Sequence, residues 1–415
     1  MSGSHLRLIA ARVWRSLWFR PALYAFLALA VLAVAPFVAH LLPGGLMKLI
    51  GLSGVYDLLD ALANTLLAVA IFSLGIMASS LHAASSATSP RVRPLLVEDS
   101  TARAAISTFI GGFVFAVVGI VGLSTGYYSD ASKVLLFFVT CALLLALIVA
   151  LIRWIGRLSR LGGVAESVDL VETATRQSLK DLASDPLLGG APSAGRPAHG
   201  VPVAPDRPGF IQAIDADSLG GLAQEIGADL HLVARPGAFV GPGWPLLLAS
   251  RNLSKEEEDR LRATFLVGRR RTFEKDPRFG LTVLSEIASR ALSPAVNDPG
   301  TAIYVITASV SLLSDWAGEA STASPPARHP RLRVEPLPVG DLLDDAFRWI
   351  ARDGAGQLEV QLWLQKALAM LAAQDEARFG RAARRLSAEA LERADAALAL
   401  PADRMELHRA ALARS

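Results

Sequence analysis

Four long apolar segments constrain this chain more than any other feature of its sequence. They lie at about 22–42, 61–82, 104–123 and 134–152, and none carries Asp, Glu, Lys or Arg in its interior. A helix needs roughly 20 apolar residues to cross a bilayer. Because lipid offers the backbone no hydrogen-bond partners, such segments cross as helices. The sequence therefore predicts a transmembrane domain of four helices over residues 22–153, with the lipid bilayer as its first partner.

Basic residues flank these segments unequally. Arg and Lys crowd the N-terminus, the connection between spans two and three, and the segment after span four, in a ratio of about ten to two over the other connections. Basic flanks stay on the cytoplasmic side of a membrane. We therefore expect a multi-pass protein of the bacterial inner membrane, with residues 1–21 and the C-terminus in the cytoplasm.

Charged residues concentrate after span four, which indicates a second, cytoplasmic part. The predicted fold class is an α-helical membrane protein followed by a mainly helical α+β cytoplasmic domain with a small β unit. Apolar runs such as "LHLVA" and "PLLLA", separated by Pro-Gly turns, predict the strands of that unit. The predicted boundaries are a connecting helix over 154–185, a flexible Pro/Gly-rich insertion over 186–208, the α+β domain over 209–400 and a tail over 401–415.

Composition and motifs exclude several classes of function. A net charge of +3 gives no case for nucleic acid, and the single cysteine, Cys141, allows no disulfide within the chain. The chain has no phosphate-binding loop, no H-E-x-x-H, no G-x-S-x-G and no Cys/His cluster with metal-ligand spacing. We therefore predict no cofactor, no metal and no catalytic residue, although a carboxylate-based site using Glu274, Asp276 and Asp298 stays open.

Span two is richer in hydroxyl and small side chains than a simple anchor. Gly75, Ser79 and Ala83 are four residues apart, a spacing that lets helix backbones approach closely. One interpretation is packing within a single bundle. The other is an aqueous path through a homo-oligomer, whose candidate lining residues are Ser73, Ser79, Ser80 and His82.

An Asp-Pro pair occurs in the stretch "RALSPAVNDPGTA" and also shortly before it. Asp276-Pro277 and Asp298-Pro299 each combine an N-cap carboxylate with a proline at the first helical position. One interpretation is a turn that fixes the angle between two packed helices. The other is a polar network for an oligomer contact or a small-ligand site, because charges out of water must be paired. Its candidate residues are Arg271, Thr272, Glu274, Asp276, Ser293, Asn297 and Asp298.

Several motifs resemble a known family. They are "RSLWFRPAL", "ASSATSPRVRPLL" and "STFIGGFVFA" around the spans, and "GFIQAID", "RPGAFVGPGWPL", "RTFEKDPRFGL" and "ALSPAVNDPGTA" after them. The chain resembles the DUF2254 family of predicted four-span bacterial membrane proteins to about residue 370. The resemblance implies a membrane location and a cytoplasmic domain, and it brings no established chemistry.

Two functional hypotheses follow from these patterns. The first is a homo-oligomeric channel gated by its cytoplasmic domain, favoured by uncharged spans and the hydroxyls of span two. The second is a non-conducting membrane sensor or scaffold, whose cytoplasmic domain binds a small molecule, an ion or a protein partner at the region from Arg271 to Asp298.

Overall fold

The structure is a computed structural model that describes most of the chain in two compact units. The described residues are 53–97, 100–125, 130–158, 162–320 without 194, 196 and 198, and 326–412, together with scattered helical positions between 19 and 34. The first predicted span, 22–42, therefore lies largely outside the described residues. The membrane-helix unit comprises the chain up to Ser86 together with Arg93–Glu166. The C-terminal unit comprises the short segment Ala87–Val92 together with the chain from Ser167 onward.

From Ser53 onward, the described residues of the membrane-helix unit form three long apolar helices and one short helix. They are α1 (Ser53–Ala87), the short α2 (Arg93–Val97), α3 (Ser100–Ser124) and α4 (Asp130–Leu158). The three long helices are apolar and long enough to cross a membrane, at the places predicted for spans two, three and four. A Cβ built on Gly112 of α3 would lie 2.9 Å from Leu66 Cδ1 of α1. Small residues on α3 thus permit close helix packing.

The described end of α4, Leu158, and the next helix, α5 (Val164–Ser184), belong to separate helices. Gly162, which lies just before α5, has a φ of +86° and so is not helical. The connecting helix predicted for 154–185 is therefore divided between the end of α4 and α5. The physical reason is the left-handed backbone at Gly162, which only glycine adopts without strain.

Two small sheets form the β part of the C-terminal unit as far as its residues are described. One has the strand order β1-β8-β4-β6-β2 and the other β5-β3-β7. The strands are β1 (Gly190–Pro192), β2 (Val201–Val203), β3 (Gly209–Ile214), β4 (Leu230–Leu232), β5 (Phe239–Val240), β6 (Leu247–Ala249), β7 (Phe265–Gly268) and β8 (His329–Val334). Antiparallel pairing of β4 and β6, with Leu230 opposite Ala249, confirms the two strands predicted from the apolar runs.

The segment predicted as a flexible insertion, 186–208, supplies two of these strands. β1 pairs parallel with β8, and β2 pairs antiparallel with β6. Val203 is fully buried in the sheet core. The prediction of a segment without a core was wrong here, because strands of three residues are too short to show an alternating pattern among prolines and glycines.

Helices make up the rest of the C-terminal unit. They are α6 (Ala216–Glu225), α7 (Lys255–Arg262), α8 (Pro277–Ala291), α9 (Pro299–Glu319), α10 (Val339–Asp353), α11 (Leu358–Gln374), a π-helical turn (Glu376–Gly380), α12 (Arg381–Ala397) and α13 (Pro401–Leu412). Where a C-terminal tail was predicted over 401–415, α13 buries Leu407 against Ala394 and Leu398. A Cβ on Gly280 of α8 would lie 1.9 Å from Thr175 Oγ1 of α5, so these two helices pack very closely.

Candidate ligand site in the C-terminal unit

Asp276 is the most strongly held of the residues selected from the sequence. Its side chain is only 2% exposed and caps α8 by accepting a hydrogen bond from the Phe279 backbone N–H at 3.1 Å. Arg271 donates to both carboxylate oxygens, from Nε at 2.7 Å and from Nη2 at 3.0 Å. The same guanidinium lies 5.1 Å above the Phe279 ring. Buried charge is tolerated here because it is paired, hydrogen-bonded and stacked.

A glycine turn from the sheet presses against this ion pair. The turn comprises Arg235, Pro236, Gly237 and Ala238, and Ala238 N–H donates to the Arg235 carbonyl at 3.0 Å. Gly237 has a φ of +90°, and a Cβ built on it would lie 2.1 Å from Asp276 Oδ2. The turn can therefore approach the buried carboxylate only because residue 237 has no side chain.

A cavity of about 290 Å³ opens beside this turn. Its charged lining comes from three chain segments: the end of α5 with Asp185, the turn at Arg235 and Pro236, and the start of α8. Leu188, Ile214 and Leu337 add apolar lining. Its charged lining residues are Asp181, Asp185, Arg235, Lys275, Asp276 and Arg278. The volume is close to the lower end of ordinary small-molecule sites, so the cavity suits a small polar solute.

Arg235 is anchored at the cavity by main-chain oxygens. Its Nη2 donates to the Pro186 carbonyl at 2.8 Å and to the Glu335 carbonyl at 2.6 Å, and its Nε also donates to Glu335 at 3.1 Å. Burial lowers the pKa of Arg235 to about 10, although the charges of Asp185 and Glu335 oppose this shift. The guanidinium remains charged at neutral pH and is incompletely solvated.

The other cations of the cavity wall have carboxylate partners. Lys275 Nζ lies 2.6 Å from Asp181 Oδ2. Arg278 reaches Asp341 Oδ2 at 2.6 Å and Asp345 Oδ2 at 2.5 Å. Burial opposes the charge of Arg278, but its hydrogen bond to Asp345 and the surrounding carboxylates outweigh burial and raise its pKa.

Three residues of the predicted polar network, Ser293, Asn297 and Asp298, lie at the far end of α8. That helix has 15 residues, so its ends are about 22 Å apart. Asp298 caps α9 through the backbone N–H and hydroxyl of Thr301, and Ser293 Oγ donates to the Arg290 carbonyl. Asn297 has a φ of +50° and accepts from Gln357 Nε2 at 3.3 Å. The structure thus joins Arg271 with Asp276 and places Asn297 in the separate turn before α9.

Backbone conformation explains why this turn contains Asn297. Asparagine is one of the few residues that visits the left-handed region routinely. Asn297 N–H donates to the Ser293 carbonyl at 2.9 Å, and Asp298 N–H to the Ala291 carbonyl at 2.8 Å. The residue therefore closes the end of α8 and positions the cap of α9.

The two other candidates near Arg271 have less defined surroundings. Glu274 is exposed and Thr272 is half-buried. A carboxylate-based catalytic pair of Glu274 and Asp276 would need both groups at one site, whereas Asp276 is committed to Arg271 and the α8 cap. The structure therefore gives Asp276 a positioning role in the cavity wall.

The four candidate lining residues of span two lie on different sides of α1. Ser73 is 1% exposed and faces the interior of the membrane-helix unit. Ser79 and His82 are exposed, and Ser80 is half-buried. Gly75 and Ala83 share the exposed face with Ser79. Within the described helices, Ser73 and Ser79 therefore do not line a common path.

A second polar contact on α8 involves the chain between spans two and three. Arg91 Nη1 lies 2.6 Å from Glu286 Oε1, and Ser89 Oγ donates to Glu286 Oε2 at 3.0 Å. Thr88, Ser89 and Val92 are buried, and the segment Ala87–Val92 belongs to the C-terminal unit. Glu286 therefore holds this connecting segment on α8.

Sequence reasoning missed the cavity residues other than Asp276. The Pro-Gly turns and the Asp276-Pro277 helix start were predicted from the sequence, but Arg235, Lys275 and Arg278 were given no role. Their motifs, "RPGAFVGPGWPL" and "RTFEKDPRFGL", were both among the family-like stretches. An arginine before Pro-Gly was an available signal, but its proximity to Asp181 and Asp276 could not be read from spacing.

Comparison with known proteins identifies the family. A family model described as a predicted membrane protein, DUF2254, matches residues 14–370. Uncharacterized proteins of Mycobacterium bovis and of Mycobacterium tuberculosis strains H37Rv and CDC 1551 are each 29% identical over 267 residues. That alignment covers 61% of this chain and 50% of each relative, so the chain spans about half the length of these curated relatives.

No solved structure matches the chain. The family model covers most of the sequence and includes all three membrane-length helices as well as the cavity residues. The resemblance seen in the sequence motifs is confirmed: this chain belongs to the DUF2254 family of predicted membrane proteins.

Proposed function

We propose that this protein is a membrane sensor whose C-terminal unit binds a small polar solute in the cavity beside Arg235. The observation that carries the proposal is the convergence of charged side chains from three distant chain segments around about 290 Å³ of open space. Convergent polar groups in a concave site are the usual mark of a ligand pocket. In this proposal the C-terminal unit lies in the cytoplasm, as the basic flanks of the spans predict.

Helix α8 offers a route from the cavity to the membrane-spanning chain. Asp276 lines the cavity at the N-terminus of α8. Glu286 lies ten residues farther along this helix, about 15 Å away. Glu286 holds Ser89 and Arg91, whose segment is covalently continuous with α1. A solute that shifts α8 would therefore act on the connection between spans two and three, which makes α8 the coupling element.

Thermal unfolding of the full chain in detergent tests whether the cavity binds a solute. We expect at least one member of a panel of sugar phosphates, nucleotides, amino acids, dicarboxylic acids, neutral sugars and polyamines to raise the unfolding midpoint. At 100 times its Kd, binding to the folded state adds about 2.7 kcal/mol to the free energy of unfolding, which corresponds to a rise of about 6 °C. Ser184, an exposed lining residue, allows the cavity to be filled by Ser184→Trp. This variant is expected to abolish the shift.

Gln224→Trp is the matched control, because Gln224 is exposed on α6 and does not line the cavity. It is expected to leave the solute-induced shift unchanged. A panel in which no member stabilises the protein, or a shift that survives Ser184→Trp, contradicts the proposal. Hydrogen exchange of the backbone amides of Thr88, Ser89, Arg91 and Val92 then tests the coupling, since the bound solute should change their protection.

A channel made of several copies is the second candidate function. It is favoured by one observation: Gly75, Ser79 and Ala83 form a row of small residues on the exposed face of α1, with His82 beside it. Such a row lets helices from neighbouring copies approach closely. In this proposal Ser79 and His82, rather than Ser73, line the shared path.

Cysteine labelling distinguishes the two candidates in a Cys141→Ala background. A channel predicts that a charged, membrane-impermeant thiol reagent modifies Ser79→Cys and reduces conductance in planar bilayers by about tenfold, because the label narrows a hydrated path. Ser73→Cys is the internal control and should remain unmodified, since this position is buried within the unit. Absence of both conductance and Ser79→Cys labelling would leave the sensor as the better account.

A further inference from the structure

The charges in the cavity wall are not all matched, and the mismatch indicates the class of ligand. Each lining carboxylate faces a cation: Asp181 faces Lys275, and Asp276 faces Arg271. Asp185 faces Arg328, whose Nη2 lies 2.7 Å from Asp185 Oδ2. The acidic groups of the wall are therefore already neutralised by neighbouring side chains.

Arg235 differs from the other cations of the wall. Its hydrogen bonds go to the carbonyls of Pro186 and Glu335, and no carboxylate among the described residues contacts it. A guanidinium has five N–H donors. Three are used by these bonds, which leaves the two N–H groups of Nη1 without a partner in the described part of the chain. A fixed, charged, partly satisfied guanidinium is a strong donor to an anion.

We infer that the cavity binds the oxyanion group of a small solute, a carboxylate or a phosphate, at Arg235 with support from the Lys275 ammonium. This inference rests on the proposed function of the cavity and specifies its ligand. The carbonyls of Pro186 and Glu335 hold the guanidinium plane in place, so little side-chain entropy is lost when the anion binds. Lys275 keeps two of its three donors beyond its bond to Asp181.

The two probes are inorganic phosphate and acetate, titrated into the full chain in detergent. Phosphate binding is followed by 31P line broadening and acetate by 13C line broadening. At least one of them should bind saturably to the wild-type chain. Arg235→Gln should weaken that binding by about tenfold or more, the effect of losing a charge-assisted hydrogen bond.

Arg331→Gln is the matched control, because Arg331 in β8 likewise donates to a backbone carbonyl, that of Gly227, and lies outside the cavity. It should bind the probe as the wild type does. Arg235→Lys keeps the charge but loses the fork of donors, so it should bind with intermediate affinity. This second variant keeps the test valid if Arg235→Gln fails to fold.

The outcomes separate this inference from the proposed function. If neither probe binds, or if both bind Arg235→Gln as tightly as the wild type, the oxyanion inference is overturned. If a neutral or cationic solute nevertheless stabilises the chain and Ser184→Trp abolishes that effect, the sensor proposal still stands. Repeating the titration in phosphatidylglycerol nanodiscs identifies the source: a free solute still binds there, whereas a lipid headgroup displaces the probe from Arg235.

Discussion

Replacing Asp276 with Ala is expected to lower the midpoint of thermal unfolding of the C-terminal unit by about 10 °C. Breaking a buried ion pair costs about 3 kcal/mol when one partner is left behind, and losing an N-cap costs about 1 kcal/mol. Arg271 would remain only about one-fifth exposed and without its carboxylate. For a unit of this size, each kcal/mol corresponds to about 2–4 °C. Scanning fluorimetry of the purified full chain measures the shift.

Asp298→Ala is the matched control, because it removes the same Asp-Pro cap from α9. Asp298 is exposed and makes its bonds to Thr301 without an ion pair. Only the cap contribution of about 1 kcal/mol should be lost, so the midpoint should fall by about 2–4 °C. Equal shifts for the two variants would show that the pair with Arg271 adds nothing to the stability of the fold.

Replacing Gly237 with Ala is expected to be nearly as damaging, at about 3 kcal/mol or more. An alanine at a φ of +90° costs about 1 kcal/mol in backbone strain. Its Cβ would also lie 2.1 Å from Asp276 Oδ2, so the turn or the buried carboxylate must move. Movement at this place separates Arg235 from the start of α8, and we expect the Arg235-dependent probe binding to be lost as well.

Gly243→Ala isolates the backbone part of this effect. Gly243 has a φ of +82°, and nothing lies within 4 Å of the added Cβ. It should therefore cost only about 1 kcal/mol. In an Asp276→Ala background the carboxylate that the new Cβ would collide with is gone. There, Gly237→Ala should lower the free energy of unfolding only as much as Gly243→Ala does. A Gly237→Ala cost that is the same in both backgrounds would rule out the steric contact as its cause.

Local sequence patterns predicted several elements well. Asp276-Pro277 and Asp298-Pro299 marked two helix starts, and the structure begins α8 and α9 there. Three of the four apolar segments form membrane-length helices, and the first lies largely outside the described residues. These predictions succeeded because capping and apolar length depend on neighbouring residues alone.

Predictions that needed distant contacts were incomplete. The three-residue strands β1 and β2 exist only because β8 and β6 supply their hydrogen bonds. The residues predicted to form one polar network around the Asn-Asp turn lie in two separate groups, because α8 lies between Asp276 and Asn297. A continuous helix of 15 residues keeps the residues at its two ends about 22 Å apart.

The sequence by itself determined the apolar helices, the helix starts and the family, because each depends on residue types at fixed short spacing. Only the tertiary structure brought Arg235, Asp181 and Lys275 to one cavity and placed Gly237 against Asp276. Lys275 and Asp181, which are bonded to each other, are 94 positions apart in the sequence. Their proximity follows from how the sheet and α5 pack on α8, and packing of distant elements leaves no periodic signal in a single sequence.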